Sequence, residues 1–307
     1  MNQIPKATVV NKQKINYTVI IVTFAVLGTF LLVSAGFFIF LYSLTGSKVE
    51  LSSKPDIGIV EVEGVILDSK MYIEGIKHFA DQENVKAVII RINSPGGSVA
   101  PCQEVYEEIL RQKKKLKIYA SMGSAAASGG YYIASATDRI FASPGTLTGS
   151  IGTIMDLFNL QELYDWAKIK KHTIKAGKYK DMGSPFKVMS KEEEKIFQDL
   201  ADDIHDQFIT DISVARNMEK EKVKALSDGR VFTGKQALEN GLIDELGNLP
   251  SVIAYAARHS GISGKPKVKY YKEKHEQLIE FIMDSGTKMI SNAINAAIEK
   301  KETIIVK

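Results

Sequence analysis

Three short segments of the chain carry residue types that together could perform acyl transfer. Ser94-Pro95-Gly96-Gly97 is a glycine-rich turn, Ala127-Ser128-Gly129-Gly130 places a serine among small residues, and Gly177-Lys178-Tyr179-Lys180 supplies two lysines. Backbone N–H groups of a glycine turn can hold an oxyanion, a serine hydroxyl can act as nucleophile, and a lysine can act as its base. This combination is typical of a hydrolase that uses a Ser/Lys pair.

Ser128 has the small neighbours that a nucleophilic serine needs. Gly129 and Gly130 follow it directly, so a substrate backbone can approach the hydroxyl closely. A helix that begins here would also aim free N–H groups at a developing oxyanion. A close-packed helix crossing, with Ser128 only as its cap, is the alternative that this segment alone leaves open.

The Pro95-Gly96-Gly97 turn follows an apolar run typical of a buried strand. In α/β folds, ligand sites lie at the carboxyl ends of such strands. We therefore assign the oxyanion hole to the backbone amides of Gly97 and Gly129. An ordinary strand-to-helix turn is the alternative for this motif taken alone.

The base is harder to choose from residue types. None of the five histidines lies in a glycine-rich turn, and the chain has no HExxH or similar metal-ligand spacing, so we expect no metal and no cofactor. A lysine can act as a base when burial lowers the pKa of its amine. The residues alone do not select one of the 40 lysines and arginines.

Composition limits the remaining possibilities. The 307 residues, 45% of them hydrophobic and 25% charged, suffice for one large domain or two small ones with a sizeable core. The net charge of +4 is mild and scattered, so nucleic acid is not an expected partner. The single cysteine, Cys102, excludes an intrachain disulfide and is interpreted as a buried, inert thiol.

Residues 17–44 contain no charged side chain and are long enough to cross a bilayer. Lysines precede this run without any acid, which predicts a cytoplasmic tail at 1–16, a transmembrane signal anchor at 17–44 and export of all that follows. A cleaved signal peptide is the alternative, because Val33-Ser34-Ala35 loosely resembles a cleavage site. The apolar run continues past that point, which favours a retained anchor in the cytoplasmic membrane.

The remaining chain alternates between strand and helix patterns, which predicts an α/β fold. We expect a linker at 45–56, the hydrolase domain at 57–273 and an amphipathic C-terminal segment at 274–307. Within the domain we expect strands at 57–62, 64–66, 87–92, 118–120 and 139–141, and helices at 73–80, 99–112, 128–136 and from Ser190 to about Ala215.

Five motifs in order resemble those of the signal peptide peptidase A family, serine proteases with the ClpP/crotonase-like fold of repeated ββα units. The similarity extends from about Ile57 to Gly247. Besides the three segments above, it includes Thr148-Gly149-Ser150-Ile151-Gly152 and the run from Gly229-Arg230-Val231-Phe232-Thr233-Gly234 through Gly241-Leu242-Ile243-Asp244.

The resemblance implies a role for each candidate residue. Ser128 would be the nucleophile of a serine endopeptidase and Lys180 its general base and acid, whereas Lys178 would be out of register and point to solvent. Ser150 matches a family hydroxyl that holds the lysine amine toward the serine. Short members of the family resemble ring-forming homo-oligomers in which neighbouring subunits supply the serine and the lysine of one site.

The expected function is degradation of remnant signal peptides at the membrane, with peptides as the substrates. A quality-control protease for membrane or misfolded proteins is one alternative. A crotonase-type acyl-CoA enzyme is another, but it would use paired glutamates and a CoA pocket, and an exported anchor fits it poorly. A catalytically inactive membrane scaffold is the third, and a fluorophosphonate that labels active serines would separate it from a protease.

Overall fold

The computed structural model describes residues 26–34, 36–37 and 54–272 of the chain. Residues 26–34 and 36–37 are helical. Within the described ranges, no helix combines the length and the apolar character that a membrane crossing requires. The predicted anchor at 17–44 lies largely outside the described residues, and the predicted C-terminal segment at 274–307 lies entirely outside them.

Residues 54–272 belong to one compact unit built on an eight-stranded sheet. The strands, in chain order, are β1 Ile57–Ile66, β2 Ala87–Gly97, β3 Lys117–Ala127, β4 Arg139–Ala142, β5 Leu147–Gly149, β6 Val231–Thr233, β7 Glu245–Leu246 and β8 Val268–Tyr270. The helices of this unit are α1 Lys70–Ala80, α2 Val99–Gln112, α3 Gly129–Ser135, α4 Gln161–Trp166, α5 Lys191–Arg216, α6 Lys220–Ala225, α7 Gly234–Glu239 and α8 Leu249–His259.

The sheet is mostly parallel and runs in the order β6-β5-β3-β2-β1-β8, with β4 pairing to β3 and β7. The three long strands are in register from their first residues, with Ile57 opposite Ala87 and Ala87 opposite Lys117. The β5–β6 pair is antiparallel. Because β1, β2 and β3 are parallel, their carboxyl ends meet at one edge of the sheet, where the glycine-rich turn and Ser128 also lie.

Both faces of the sheet are covered, which explains the continuous apolar runs of the long strands. Because successive side chains of β1 point to opposite faces of the sheet, Ile57 and Ile59 lie in one core, and Val60 and Val62 in the other. The larger core includes buried side chains from α1, α2, α3 and α5, and the smaller one includes Val252 and other residues of α8.

The predicted helices at α2 and α5 are confirmed. Ser190 begins α5 with a capping box, in which its hydroxyl accepts from Glu193 N–H and the Glu193 carboxylate accepts from Ser190 N–H. The expected strands at 57–62 and 64–66 are instead one strand, with a register shift between Glu63 and Val65.

Strand β3 extends to Ala127, well past the prediction of 118–120. Its second half consists of small residues without a strand pattern, so local propensity gives no signal there. Pairing of Ala126 with Ser94 on one side and Thr148 on the other holds this half extended.

Candidate active site

Ser128 lies in a strained turn between the last residue of β3 and the first residue of α3. Its backbone has φ 53° and ψ −121°, a combination that costs a non-glycine residue of order 1–3 kcal/mol. The pairing of β3 with β5 fixes the turn, because Ser128 N–H donates to the Gly149 carbonyl over 2.8 Å. Sharp strand-to-helix turns of this kind expose the nucleophilic hydroxyl of many hydrolases.

The Ser128 hydroxyl is not used as a helix cap, although the residue occupies the capping position of α3. The residue is half-buried, so its hydroxyl has access to a ligand. The capping role that the sequence left open therefore does not account for this serine.

The amides of Gly97 and Gly129 both lie beside Ser128. Ser98 N–H donates to the Ile66 carbonyl over 2.7 Å, so the N–H of the preceding residue, Gly97, points away from β1 towards the Ser128 turn. Gly129 begins α3, and its N–H has no acceptor within that helix. Donation of both N–H groups to one oxyanion would require this arrangement.

Glycine is required at these positions because neighbouring backbone and side-chain atoms approach closely. A Cβ on Gly97 would lie 2.0 Å from the Ile66 carbonyl oxygen, and one on Gly129 would lie 2.4 Å from Cys102 Sγ and 3.3 Å from Gly97 N. Gly96 has φ +111°, and its Cβ would lie 2.8 Å from that of Ser128. The structure thus brings together three of the predicted site residues: Ser128, Gly97 and Gly129.

A cavity of about 110 Å³ opens beside Ser128 and these two glycines. Its other walls are mainly apolar and come from the start of α2, from α3, from the chain after β5 and from α5; they include Val99, Cys102, Tyr132, Ile154, Ile204 and Phe208. Pockets for whole small molecules usually measure about 300–1,000 Å³. A cavity of this size and lining suits a single apolar side chain.

The aromatic wall of the cavity is fixed by hydrogen bonds to α5. Tyr132 donates to the Asp211 carboxylate, and Tyr106 donates to the Asp211 carbonyl oxygen over 3.0 Å. The Tyr132 ring packs against Phe208 with centroids 4.8 Å apart. Burial first, and then the hydrogen bond to Asp211, raise the pKa of Tyr132 well above its ordinary value. The phenol is thus a neutral donor that locks α5 onto α3.

Cys102 lies in this wall but does not have the properties of a nucleophile. It is 2% exposed, and burial raises the pKa of its thiol to about 11. The thiol is therefore protonated near neutral pH, and the reactive form of a cysteine is the thiolate. Ser128 remains the nucleophile candidate of the site.

Lys180 lies apart from this cavity. It is exposed, it sits in a turn where its N–H donates to the Gly177 carbonyl over 3.3 Å, and it does not line the cavity. Within the described part of the chain, no hydrogen bond joins its amine to Ser128 or Ser150. Of the predicted pair, the described residues thus place only Ser128 at the cavity.

The four lysines from Lys175 to Lys187 differ in their partners. Lys175 and Lys187 both contact Asp181, at 2.5 and 3.2 Å, and Lys178 contacts Glu192 at 2.7 Å. Hydrogen bonds to Glu192 hold the pKa of exposed Lys178 above its usual range, which makes it a poor base. Among the described residues, Lys180 alone of these four has no carboxylate partner.

Ser150 follows Gly149, which pairs with Ala127 across β5 and β3, so Ser150 and Ser128 leave the sheet side by side. Ser150 adopts φ 49°, and its N–H donates to the Arg230 carbonyl over 2.9 Å. Ser150 thus lies at the end of β5, next to the Ser128 turn, and residues 152–190 follow it in the chain.

Residues 152–190 expose unusually many large apolar side chains. Ile154 is 80% exposed, Phe158 75% and Trp166 81%, and each residue of α4 stays at least partly exposed. A protein surface rarely presents such a group without a partner. This segment also carries Lys180.

Sequence reasoning missed the cavity and its walls. Ile204 and Phe208 lie four residues apart on one face of α5, and this helical spacing was the available signal. No pattern in the sequence indicated that this face would meet Tyr132. Within the described residues, no group of three His, Cys, Asp or Glu side chains could hold a metal ion.

Comparison with known proteins identifies related chains. The family model "Peptidase family S49" matches residues 110–263, and the model "Clp protease" matches residues 67–148. Together with the mixed α/β sheet, the second match identifies the fold as ClpP-like.

Curated relatives include "Putative protease slr0021" of Synechocystis sp., 39% identical over 69% of this chain and 76% of its own length. "Serine protease SPPA, chloroplastic" of Arabidopsis thaliana is 36% identical over 69% of this chain but only 31% of its own length. "Protease 4" of Salmonella typhi is 32% identical over 70% of this chain and 34% of its own length. The chain therefore spans about a third of these longer relatives.

Proposed function

Because the chain belongs to peptidase family S49 and is a serine protease, we propose that it is a membrane-anchored endopeptidase that degrades remnant signal peptides. The observation that carries this proposal is the strained Ser128 between the amides of Gly97 and Gly129, beside a cavity for one apolar side chain. Signal peptides have apolar cores that could supply such a side chain.

In the proposed reaction, Ser128 Oγ attacks the scissile carbonyl carbon while the Lys180 amine accepts the hydroxyl proton. The N–H groups of Gly97 and Gly129 hold the resulting oxyanion. Collapse of this intermediate breaks the C–N bond, and Lys180 gives its proton to the leaving amine. Water then attacks the acyl-enzyme with Lys180 again as base, which releases the second product and restores Ser128.

We further propose that Lys180 reaches a Ser128 of a neighbouring subunit. Two observations support this assembly: Lys180 has no carboxylate partner among the described residues, and the segment that carries it exposes Ile154, Phe158 and Trp166. Contact between copies would bury these side chains and desolvate the amine, which favours its neutral form. A closed ring satisfies this head-to-tail contact for every subunit. Ser150 would then orient the incoming amine.

The location follows from the N-terminal sequence. Residues 17–44 contain no charge, and the three lysines Lys6, Lys12 and Lys14 precede them, which supports a single-pass anchor with a cytoplasmic N-terminus. The catalytic domain would then act on the extracytoplasmic side of the cytoplasmic membrane. This placement gives the protease access to peptides left in the membrane after secretion.

Cleavage of defined peptides tests the function directly. The full-length protein in detergent is incubated with synthetic signal peptides and, separately, with an unfolded protein, and cuts are mapped by mass spectrometry. We expect cuts inside the apolar cores, each after an apolar side chain, and none with Ser128→Ala. Preference for the unfolded protein would favour the quality-control alternative. Absence of both cleavage and fluorophosphonate labelling would favour the inactive scaffold.

A further inference from the structure

The edge of the sheet opposite Ser128 is formed by the amino ends of the parallel strands. Strands β1, β2, β3 and β8 all begin there, because Ile57 is in register with both Ala87 and Val268, and Ala87 with Lys117. The segments that lead into these strands therefore lie side by side.

These lead-in segments are rich in lysine. Residues 54–56, 81–86, 113–117, 137–138 and 260–267 contain eight lysines and four carboxylates. The lysines, which we call the amino-edge lysines, are Lys54, Lys86, Lys113, Lys114, Lys115, Lys117, Lys265 and Lys267. Two of the carboxylates accept hydrogen bonds from backbone N–H groups: Asp56 from Lys267 N–H over 2.9 Å, and Asp138 from Ile118 N–H over 2.8 Å.

An open groove of about 460 Å³ runs through this patch between the end of α1 and the turn after α2. Lys113 is tied down, since its amine donates to the Ala136 carbonyl over 2.9 Å. Lys114 and Lys115 are exposed, and within the described part of the chain neither amine meets a carboxylate. The net positive charge at the groove is thus carried by exposed side chains.

We propose that the amino-edge lysines bind the anionic headgroups of a lipid surface. The groove is open and lined by flexible ammonium groups, which suits many interchangeable phosphates better than one shaped ligand. Basic clusters close to a bilayer bind anionic lipid by summed electrostatic attraction.

The path of the chain favours a membrane over other polyanions. Lys54 enters this edge about ten residues after the end of the proposed anchor, and ten extended residues span at most about 35 Å. In this respect the inference rests on the proposed anchoring. Ser128 lies at the other edge, so lipid contact at the lysines leaves the catalytic serine uncovered.

Lysine protection on vesicles tests this contact in the full-length protein. The chain is mixed with vesicles of phosphatidylcholine alone or with added phosphatidylglycerol, acetylated briefly with a water-soluble reagent, and analysed by mass spectrometry. We expect Lys114 and Lys115 to react about tenfold more slowly on anionic vesicles, and high salt to remove this protection. Lys70, exposed just after the carboxyl end of β1 and therefore on the Ser128 side of the sheet, should react equally on both.

A charge-reversed pair provides the matched variant. Lys114→Glu/Lys115→Glu should lose the protection of the remaining amino-edge lysines, with unchanged peptide cleavage in detergent. Lys222→Glu/Lys224→Glu, the same charge change on α6, should retain it. Equal acetylation of Lys114 and Lys115 on both vesicle types would overturn the proposal. A protein that floats only with anionic vesicles would contradict the anchor and still support the patch.

Discussion

The two halves of the proposed Ser/Lys pair are held in very different ways. Ser128 follows a paired strand, and its N–H donates to the Gly149 carbonyl, which fixes the turn. Gly97 and Gly129 lie beside it in close contact with neighbouring atoms. Lys180 sits in an exposed turn within residues 152–190, among apolar side chains that face solvent in the single chain.

This difference indicates which contacts fix the geometry of each residue. The serine half is complete within one chain, because sheet pairing and close glycine contacts fix it without outside help. The lysine half is exposed in the single chain, so the proposed assembly would have to supply the surface that covers it.

Removal of the serine hydroxyl should have the largest effect on activity. Ser128→Ala should lower peptide cleavage about a million-fold, because the nucleophile and its proton are both lost. Peptide turnover measures this loss, and unchanged thermal unfolding of the variant shows that the fold is retained. Ser124→Ala, also in the small-residue stretch, is the control and should remain active; loss of activity there alone would move the nucleophile.

Replacement of the lysine should cost less but still abolish useful activity. Lys180→Ala and Lys180→Arg should both lose about 10²- to 10⁴-fold in turnover, because arginine cannot release its proton near neutral pH. Lys178→Ala is the matched control, since that side chain contacts Glu192 at the surface, and should keep activity. A dead Lys178→Ala beside an active Lys180→Ala would reverse the assignment.

Mixing two inactive variants tests whether one site takes its halves from two chains. Co-expressed Ser128→Ala and Lys180→Ala in equal amounts should recover about one quarter of the wild-type activity, because a random pair of neighbours supplies both intact groups that often. Native mass spectrometry establishes that mixed oligomers have formed. Mixed oligomers without recovered activity would place both residues in one chain and leave the Ser/Lys chemistry intact.

The close contact between Gly129 and Cys102 should be measurable as a change in the free energy of unfolding. Gly129→Ala should destabilise the domain by about 1–3 kcal/mol, because the added Cβ would lie 2.4 Å from Cys102 Sγ. Cys102→Ala in the same protein should restore about 1 kcal/mol, measured by chemical denaturation. Gly145→Ala, where a Cβ meets nothing within 4 Å, is the neutral control. Simple additivity of Gly129→Ala and Cys102→Ala would contradict this packing.

Features that depend on residues close together in the chain could be read from the amino-acid pattern alone. Continuous apolar runs indicated the buried strands, Ser190 indicated the start of a long helix, and the Gly-Gly after Ser128 indicated close backbone approach to its hydroxyl. Each of these signals arises from local sterics or hydrogen bonding, so a short stretch of sequence contains it.

Which of these elements come into contact depends instead on the folded domain. Gly97 and Gly129 become neighbours because β2 and β3 pair side by side, with a register shift after Ile92 that brings Ser94 opposite Ala126. The cavity has its aromatic wall because Tyr132 donates to the Asp211 carboxylate of α5. The second half of β3 is extended because strands pair with it on both sides, not because of its residues. The exposure of Lys180 likewise depends on which parts of the domain pack against residues 152–190. Such contacts join residues far apart in the chain, and their free energy is gained only when the whole domain folds.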